Sequence, residues 1–324
     1  MNKKWGNGQQ MYPDGSSYQG NFEADLMNGF GTKQYENGNV YTGEFCNDLR
    51  HGEGEILYAD KNRYKGSYMN DQRGGKGKMW YSDGSVYEGE WKRNDRDGQG
   101  KYTYCHGEYT GQYSGNKMNG PGIFKFKNGD FYEGEFMNDQ IHGTGKMRYH
   151  NKAIYEGQWS KGYPSGKGKM KFANKNLYTG DFIKGYREGY GSMVYTEGDK
   201  YVGHFKHDKK DGQGKMTYKD RKVYEGNWHH NAKAGYGVMK YPDGANYTGD
   251  WANDVWNGKA KLTYANKNVY KGDFVNGKRE GDGIIKYIEE DITYNGNYKN
   301  NKKNGIGIMT FKDGSEYSGQ FFQD

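Results

Sequence analysis

The 324-residue sequence is poor in proline, cysteine and long apolar runs, and each shortage excludes a class of protein. It holds 4 prolines and 2 cysteines, and apolar residues make up only 32% of it. Because no run of about 18 apolar residues occurs, the sequence predicts no membrane-spanning segment. Cys46 and Cys105 are too few for a disulfide framework and indicate a reducing compartment. The first residues lack an apolar segment behind Lys3 and Lys4, so we expect no secretory signal and a cytoplasmic protein.

The composition is also too polar for ordinary globular domains. The mean hydropathy is -1.27, and 54 residues are glycine. Such a composition commonly indicates disorder. Most of these glycines, however, recur at fixed places in Tyr-x-Gly and Gly-x-Gly motifs, so we interpret them as parts of a regular structure.

A repeated motif, Tyr-x-Gly-x-aromatic, occurs fourteen times along the chain. Thirteen intervals separate the copies, of which eleven are 23 residues long, one is 22 and one is 24. The copies begin at Tyr18, Tyr41, Tyr64, Tyr87, Tyr109, Tyr132, Tyr155, Tyr178, Tyr201, Tyr224, Tyr247, Tyr270, Tyr294 and Tyr317. A fixed period of this size indicates an array of small structural repeats.

One repeat predicts two β-strands. Residues 132–136 alternate aromatic or glycine with glutamate, and residues 143–149 alternate Gly, Gly, Met and Tyr with polar residues, which is the period of a strand. A six-residue connection, 137–142, is expected between them, and Asn151-Lys152 is expected to form a tight turn into the next repeat. We therefore predict an all-β fold, an elongated single-layer antiparallel β-meander of about 14 hairpin repeats that forms a twisted and curled rod.

The motif Tyr-x-Gly-x-[Phe/Trp], followed by Gly-x-Gly-x-Met-x-[Tyr/Phe] at a period of 23 residues, resembles the MORN repeat (membrane occupation and recognition nexus). The resemblance extends from Gly6 to Phe322. It predicts one repeat array over residues 1–324, with a half repeat at 1–17, repeats of 22–24 residues from Tyr18, and a terminal half repeat at 317–324.

No arrangement of residues indicates catalysis or a bound cofactor. The Gly-x-Gly pairs belong to the β-repeat and open no helix, so they do not predict a phosphate loop. No nucleophile lies at a recognisable spacing from a base and an orienting group. His207 and His230 are equivalent in successive repeats, but the sequence shows no third ligand, so we expect no metal site. The sequence predicts a protein that is not an enzyme.

Similarity to MORN-only proteins implies a structural scaffold that docks other proteins of a large cytoskeletal complex, most specifically in the axoneme, as a radial spoke or other ciliary component. Rings and methionines of consecutive repeats form the predicted partner groove; alternatively, the same side chains fill the curled sheet. The predicted groove residues are Tyr132, Phe136, Met147, Tyr149, Tyr155, Trp159, Met170 and Phe172.

The connection before each Gly-x-Gly pair supplies two further candidate surfaces. Basic residues two positions before the pair are expected to align as a basic ridge. They are Arg50, Arg73, Arg96, Arg187, Lys210, Lys233, Arg279 and Lys303. Apolar residues interrupt the ridge. They are either contacts for a partner or chance substitutions in a loop whose sequence varies freely. These loop contacts are Met118, Ile141, Tyr163, Pro164, Val255 and Trp256.

The last strand and the overall charge leave alternatives open. Tyr317, Phe321 and Phe322 form either a self-association edge, giving a homodimer or end-to-end contact, or a frayed strand. The net charge of +7 and the basic ridge favour a second function, a tether that binds anionic phospholipid. Against it, 48 basic residues are mixed with 41 acidic ones. We expect no nucleic-acid binding, because the basic and aromatic residues, although both present, are expected on opposite sides or intermixed with glutamate.

Overall fold

The computed structural model describes residues 3–322, and the structure over that range is all-β. The predicted antiparallel meander is confirmed: within each of the two units described below, strands that follow each other in the chain pair antiparallel. No helix forms within residues 3–322, so that range offers none that could cross a membrane. The chain divides into two compact units, one ending at Tyr163 and the other starting at Pro164, and each is described by itself.

The first unit contains fourteen strands in chain order. They are β1 (Gly6–Met11), β2 (Ser17–Glu23), β3 (Leu26–Gln34), β4 (Val40–Cys46), β5 (Leu49–Leu57), β6 (Arg63–Met69), β7 (Gln72–Trp80), β8 (Val86–Lys92), β9 (Asp95–Tyr104), β10 (Gly107–Ser114), β11 (Lys117–Phe126), β12 (Phe131–Met137), β13 (Gln140–Arg148) and β14 (Ile154–Ser160).

The second unit contains the other fourteen, of which the first begins at Tyr163, where the division falls. They are β15 (Tyr163–Lys171), β16 (Leu177–Ile183), β17 (Tyr186–Val194), β18 (Lys200–Lys206), β19 (Lys209–Thr217), β20 (Val223–His229), β21 (Ala232–Lys240), β22 (Asn246–Ala252), β23 (Val255–Thr263), β24 (Val269–Val275), β25 (Lys278–Tyr287), β26 (Ile292–Lys299), β27 (Lys302–Thr310) and β28 (Glu316–Phe321).

The connection inside each repeat is shorter than the sequence predicts. Strand β12 continues to Met137 and β13 begins at Gln140, so only Asn138 and Asp139 lie between them. Both have positive φ, 50° and 67°, as a type I′ hairpin turn requires. The predicted six-residue connection is wrong because the register shifts after Gly134, and this irregularity breaks the alternation that marks the start of β13.

The connection between repeats lies where the sequence places it but is longer than a two-residue turn. Residues 149–153 separate β13 from β14. The Tyr149 N–H donates to the Ala153 carbonyl at 2.9 Å, and the Lys152 N–H donates to the Tyr149 carbonyl at 2.9 Å. The Asn151 side chain accepts the Ala153 N–H at 3.0 Å, which is the local bond that favours asparagine in turns.

The core of each repeat is a tyrosine ring lying over two paired glycines. Gly134 of β12 is opposite Gly145 of β13, and a Cβ on either would overlap the Tyr132 ring or hydroxyl. That hydroxyl donates to the Glu135 carbonyl at 3.1 Å, so the buried oxygen is satisfied. Only glycine lets the ring lie this close to the backbone of both strands. The ring in turn covers the gap that the glycines leave in the sheet face.

Successive repeats are joined through these rings. The Tyr132 ring makes edge-to-face contacts with Phe136 of its own repeat at 5.2 Å and with Trp159 of the next at 5.4 Å between centroids. This is a favoured geometry for aromatic pairs. The same two contacts recur in the second unit, where Tyr201 lies 5.1 Å from Phe205 and 5.4 Å from Trp228. Each repeat therefore completes its core with a ring from its neighbour.

Replacing one glycine of a pair tests this packing. In β7, a Cβ at Gly77 would overlap the Tyr64 ring, whereas a Cβ at Gly74 would meet nothing within 4 Å. We expect Gly77→Ala to destabilise the protein by about 1–3 kcal/mol, since the ring must move. Gly74→Ala, in the same strand, should change stability by less than about 1 kcal/mol. Urea denaturation followed by circular dichroism measures both; equal losses would contradict the overlap.

Candidate partner-binding face

Most of the predicted groove residues in the first unit are buried. Tyr132, Phe136, Met147, Tyr155 and Trp159 are each at most 7% exposed. They fill the sheet, which was the alternative interpretation of these side chains, and they present no surface to a partner. Three of the predicted groove residues are half-buried and keep an accessible face: Tyr149 in the first unit and Met170 and Phe172 in the second.

Tyr149 and Phe172 belong to a larger set that the sequence analysis did not assemble. Each repeat has a ring at the end of its second strand, in most repeats as the first residue after the strand, and in nearly every repeat that ring is half-buried. We call this set the aromatic ladder: Tyr12, Tyr35, Tyr58, Tyr81, Tyr104, Phe126 and Tyr149 in the first unit, and Phe172, Tyr195, Tyr218, Tyr241, Tyr264, Tyr287 and Phe311 in the second. Its signal in the sequence was the recurrence of a ring at the same place in every repeat.

Backbone hydrogen bonds fix the positions of the ladder residues. The amide of Tyr149 is bonded in the turn described above, and the amides of Tyr218 and Tyr241 donate in the same way to Lys222 and Ala245, each at 2.9 Å. Burial, with a smaller contribution from nearby Asp254, raises the pKa of Tyr218 to about 12. The ladder therefore presents neutral rings in fixed positions.

The residues of the basic ridge fold back onto the protein. The Arg50 guanidinium bonds the Asp71 carboxylate at 3.0 Å and the Asp71 carbonyl at 2.8 Å, and it lies 5.0 Å from the centroid of the Tyr68 ring. Arg187 makes the corresponding bonds to Asp208 in the second unit. The other ridge residues, Arg73, Arg96, Lys210, Lys233, Arg279 and Lys303, also lie over rings.

Burial of these cations has an electrostatic consequence. Lys210 lies 4.1 Å from the centroid of the Trp228 ring, and burial lowers the pKa of its ammonium group to about 8. Lys233 is paired with Asp254 at 3.3 Å, and its side chain is only 12% exposed. The ridge residues thus serve as bonds between strands and turns more than as cations projecting into solvent.

The ridge residues from Arg50 to Arg279 take part in what we call a turn clasp, a pair of bonds to the turn of the next repeat. The Arg50 N–H donates to the Asp71 carboxylate at 2.9 Å, and the Asp71 N–H donates to the Arg50 carbonyl at 3.0 Å. Met118 and Asp139 form the same pair of bonds. This clasp explains why an aspartate or asparagine usually occupies the second turn position.

Three of the apolar interruptions coincide with glycine in that turn position, whereas Met118 keeps the aspartate described above. Ile141 is opposite Gly162 in the first unit, and Pro164 is opposite Gly185 in the second. Each of these glycines keeps only its N–H bond to the strand carbonyl, at 2.9 Å. Trp256 is likewise opposite a glycine, Gly277, whose N–H donates to the Trp256 carbonyl. At these three junctions the side-chain bond of the clasp is absent, because glycine has no side chain that could accept it.

The residues predicted as loop contacts lie in strands, so their assignment to loops is wrong. Met118 is in β11, Ile141 in β13, Tyr163 and Pro164 in β15, and Val255 and Trp256 in β23. The error has the same cause as the connection length, because a two-residue turn leaves these positions inside the following strand. Their exposure differs: Tyr163 and Val255 are 57% and 40% exposed, Pro164 is buried, and Met118, Ile141 and Trp256 are half-buried.

A depression of about 470 Å³ in the second unit brings ladder, ridge and strand residues together. It is lined by Tyr218, Asp220, Lys222, Lys233, Met239, Tyr241, Trp251, Asp254, Val255, Trp256 and Gly277, and we call it the tyrosine–tryptophan pocket. Its charges are paired internally, Lys222 with Asp220 at 2.8 Å and Lys233 with Asp254 at 3.3 Å. What remains for a ligand is an aromatic surface.

Larger depressions, of about 570 and 600 Å³, are lined by polar side chains that alternate along the strands, together with apolar ones such as Val223 and Leu57. One lies in the second unit, where Tyr236 is 60% exposed among Lys215, Glu225 and Asn227. Because these side chains alternate along each strand with the core residues, they occupy the face opposite the buried tyrosines. This polar face provides a reference surface for experiments on the aromatic one.

The predicted self-association edge is the last described strand. Tyr317 and Phe322 are 48% and 83% exposed, and the half-buried Phe321 packs against Tyr294 at 4.7 Å between centroids. Self-association through β28 remains a prediction.

The family model of the MORN repeat matches the chain fourteen times. The matches cover residues 1–17, 18–40, 41–63, 64–86, 87–107, 109–131, 132–153, 155–177, 178–200, 201–223, 224–245, 247–269, 270–288 and 294–316. Thirteen of the fourteen matches begin at a tyrosine of the repeated motif, so the repeat unit that the family model describes there is the unit that contains one ring over one glycine pair.

Comparison with individual proteins adds little. No curated protein matches the chain. Among solved structures, the chain is similar to the TCP domain of Drosophila melanogaster SAS-4 (dCPAP) in complex with a proline-rich motif of Ana2 (dSTIL), at 15% identity and a TM-score of 0.31, over 53% of this chain and 88% of that one. It is also similar to the TCP10 domain of Danio rerio CPAP in complex with a peptide of Danio rerio STIL, at 15% identity and a TM-score of 0.31, over 82% of this chain and 92% of that one. Likenesses this weak say nothing about what the chain binds.

The buried tyrosines predict how stability depends on pH. Burial raises the pKa of Tyr41, Tyr64 and Tyr87 well above the value of about 10 that tyrosine has in an unfolded chain. Above pH of about 10 the unfolded chain therefore releases protons that the folded chain keeps, so stability is full below this pH and falls above it. We expect tyrosinate absorbance to reach its full value, with the core tyrosines ionised, only together with loss of β-sheet circular dichroism. Ionisation of all the tyrosines with the sheet intact would contradict the burial.

Proposed function

Because this chain belongs to the MORN-repeat family, we propose that it is a non-enzymatic scaffold that docks protein partners along its aromatic ladder. MORN repeats are structural modules, which supports a scaffold. The observation that carries the choice of surface is the tyrosine–tryptophan pocket, where half-buried rings remain accessible while the neighbouring charges are paired. Exposed aromatic surface at fixed positions is typical of partner-binding sites.

The spacing of the ladder favours an extended segment as the partner. Each repeat contributes two strands, so ladder rings of successive repeats are separated by about 9.6 Å. Three residues of a polyproline II segment span about 9.3 Å, and its three residues per turn return every third side chain to the same side. A segment that runs across the strands would therefore present every third side chain to the next ring. We propose an extended, proline-tolerant peptide segment that follows the ladder within one unit.

The phospholipid-tether alternative has less support. The ridge cations lie over rings and bond the turns of the next repeat, and the pKa of Lys210 is lowered by burial. An interaction with headgroups would need these side chains to leave their partners. We therefore place the proposed contact on the aromatic rings and not on the ridge.

The assembly that we propose for the scaffold is cytoskeletal, and most specifically axonemal, as a component of a radial spoke or another ciliary complex. Similarity to MORN-only proteins is what supports this placement. Detergent fractionation of native cells tests it: we expect the protein to remain in the insoluble cytoskeletal fraction together with stoichiometric companions. Release of the protein with the membrane fraction would contradict the placement and favour the lipid tether.

The docking surface can be tested with matched tyrosine substitutions in the second unit. Tyr218→Ala and Tyr241→Ala remove two ladder rings, whereas Tyr236→Ala removes a ring that is 60% exposed on the polar face. We expect the ladder variants to weaken binding of the cytoskeletal companions about tenfold or more, with Tyr236→Ala near wild type. Binding should also persist as salt is raised, since it does not depend on exposed charge.

Thermal denaturation of each variant separates loss of docking from loss of folding. If binding is lost in Tyr236→Ala and kept in the two folded ladder variants, the polar face is the docking surface and the proposal is wrong. Loss of binding at moderate salt, together with loss in a variant that combines Arg73→Glu with Arg96→Glu, would instead assign the contact to the ridge.

A further inference from the structure

An acidic residue and two histidines converge at one junction of the second unit. Asp211 lies near the start of β19, His229 is the last residue of β20, and His230 begins the turn that follows β20. Among residues 3–322 this is the group of three whose ligand atoms all lie within 4.8 Å of one another. In the sequence, His230 is paired only with His207, its equivalent one repeat earlier; in the structure, Asp211 and His229 lie beside it.

The side chains are already close to the distances that a metal ion requires. The Nδ1 atom of His229 lies 3.2 Å from a carboxylate oxygen of Asp211, and the His229 and His230 rings are 4.1 Å apart between centroids. Two ligand atoms of a tetrahedral zinc ion, each about 2.1 Å from the metal, are about 3.4 Å apart. Both histidines are exposed, so small rotations of their rings would complete this arrangement without moving the backbone.

The turn explains why neighbouring histidines share one side. In an extended strand, adjacent side chains point to opposite faces. His230 instead has a positive φ of 48° as the first residue of the two-residue turn, and this ends the alternation. Its N–H donates to the same Asp211 carboxylate at 3.2 Å, which fixes the turn against β19. The carboxylate is therefore oriented by the backbone before any ion binds.

The preceding repeat contains the same arrangement with one ligand fewer. Glu188 accepts the His207 N–H at 3.0 Å and lies 3.3 Å from the His207 ring. The residue equivalent to His229 is Lys206, whose ammonium group would repel a cation. The bond from the N–H of the first turn residue to an acidic side chain is thus a recurring contact in this chain. His229 is the residue that turns one copy into a three-ligand group.

We propose that Asp211, His229 and His230 bind one divalent transition-metal ion, with Zn²⁺ as the best fit. Two imidazoles and one carboxylate suit Zn²⁺, which takes nitrogen and oxygen ligands in tetrahedral geometry, and water would occupy the fourth position. The hard cations Ca²⁺ and Mg²⁺ prefer sites made of oxygen and fit this one poorly. The ion would join β19 of one repeat to the turn after β20 and so stabilise the junction between the repeats.

Zinc binding by the tag-free full-length chain tests this assignment. We expect one Zn²⁺ per chain in competition with a chromophoric chelator, and a higher melting temperature in its presence, because an ion that binds only the folded state stabilises it. His229→Lys reproduces the arrangement of Glu188, Lys206 and His207, which this fold already contains, so it should fold normally. It should lose about tenfold or more in affinity, since even outer-shell partners of a metal contribute that much.

Two further variants make the result decisive. His207→Lys alters the two-ligand copy and should bind Zn²⁺ as the wild type does. A chain with Cys46→Ser and Cys105→Ser should also bind normally, because both cysteines are exposed and distant in sequence from the site. The proposal is overturned if the wild type binds no Zn²⁺, if His229→Lys binds it equally well, or if binding follows the cysteines.

Discussion

The contact between each buried tyrosine ring and the glycine pair beneath it is the constraint on which the rest of the structure depends. The ring of Tyr132 lies so close to Gly134 and Gly145 that neither position accepts a Cβ, and its hydroxyl caps a carbonyl of its own strand. The ring then supplies the apolar surface that the glycines cannot. A chain with only 32% apolar residues can therefore build a core within each unit, because a ring of the next repeat completes the packing of each repeat.

This constraint also determines where function can lie. Rings that complete the core, such as Tyr155 and Trp159, are unavailable to partners, and the ridge arginines are bonded to rings and turns. The accessible chemistry is left to positions that the core does not use. These are the ladder rings at the ends of the long strands, and the short turns, where residues such as His230 vary without disturbing the glycine pairs.

The repeat period and the sheet face of each side chain could be predicted from the sequence, whereas the degree of burial of each side chain and the geometry of the turns could not. Alternation placed Tyr132 and Tyr149 on one face correctly, but parity does not distinguish a fully buried ring from a half-buried one. The turn at Asn138 was misplaced because the register shift after Gly134 interrupts the alternation. The convergence of His229 and His230 depends on the positive φ of His230, which a histidine in the sequence does not predict.

A double-mutant cycle on Tyr64 and Gly77 tests the central claim most directly. If the ring is the reason for the glycine, Gly77→Ala should be costly in the wild-type background and should cost much less once Tyr64→Ala has removed the ring, giving a coupling free energy of about 1 kcal/mol or more. If Gly77→Ala costs the same with and without the ring, the glycine is required by the backbone alone, and the account given for the core is wrong.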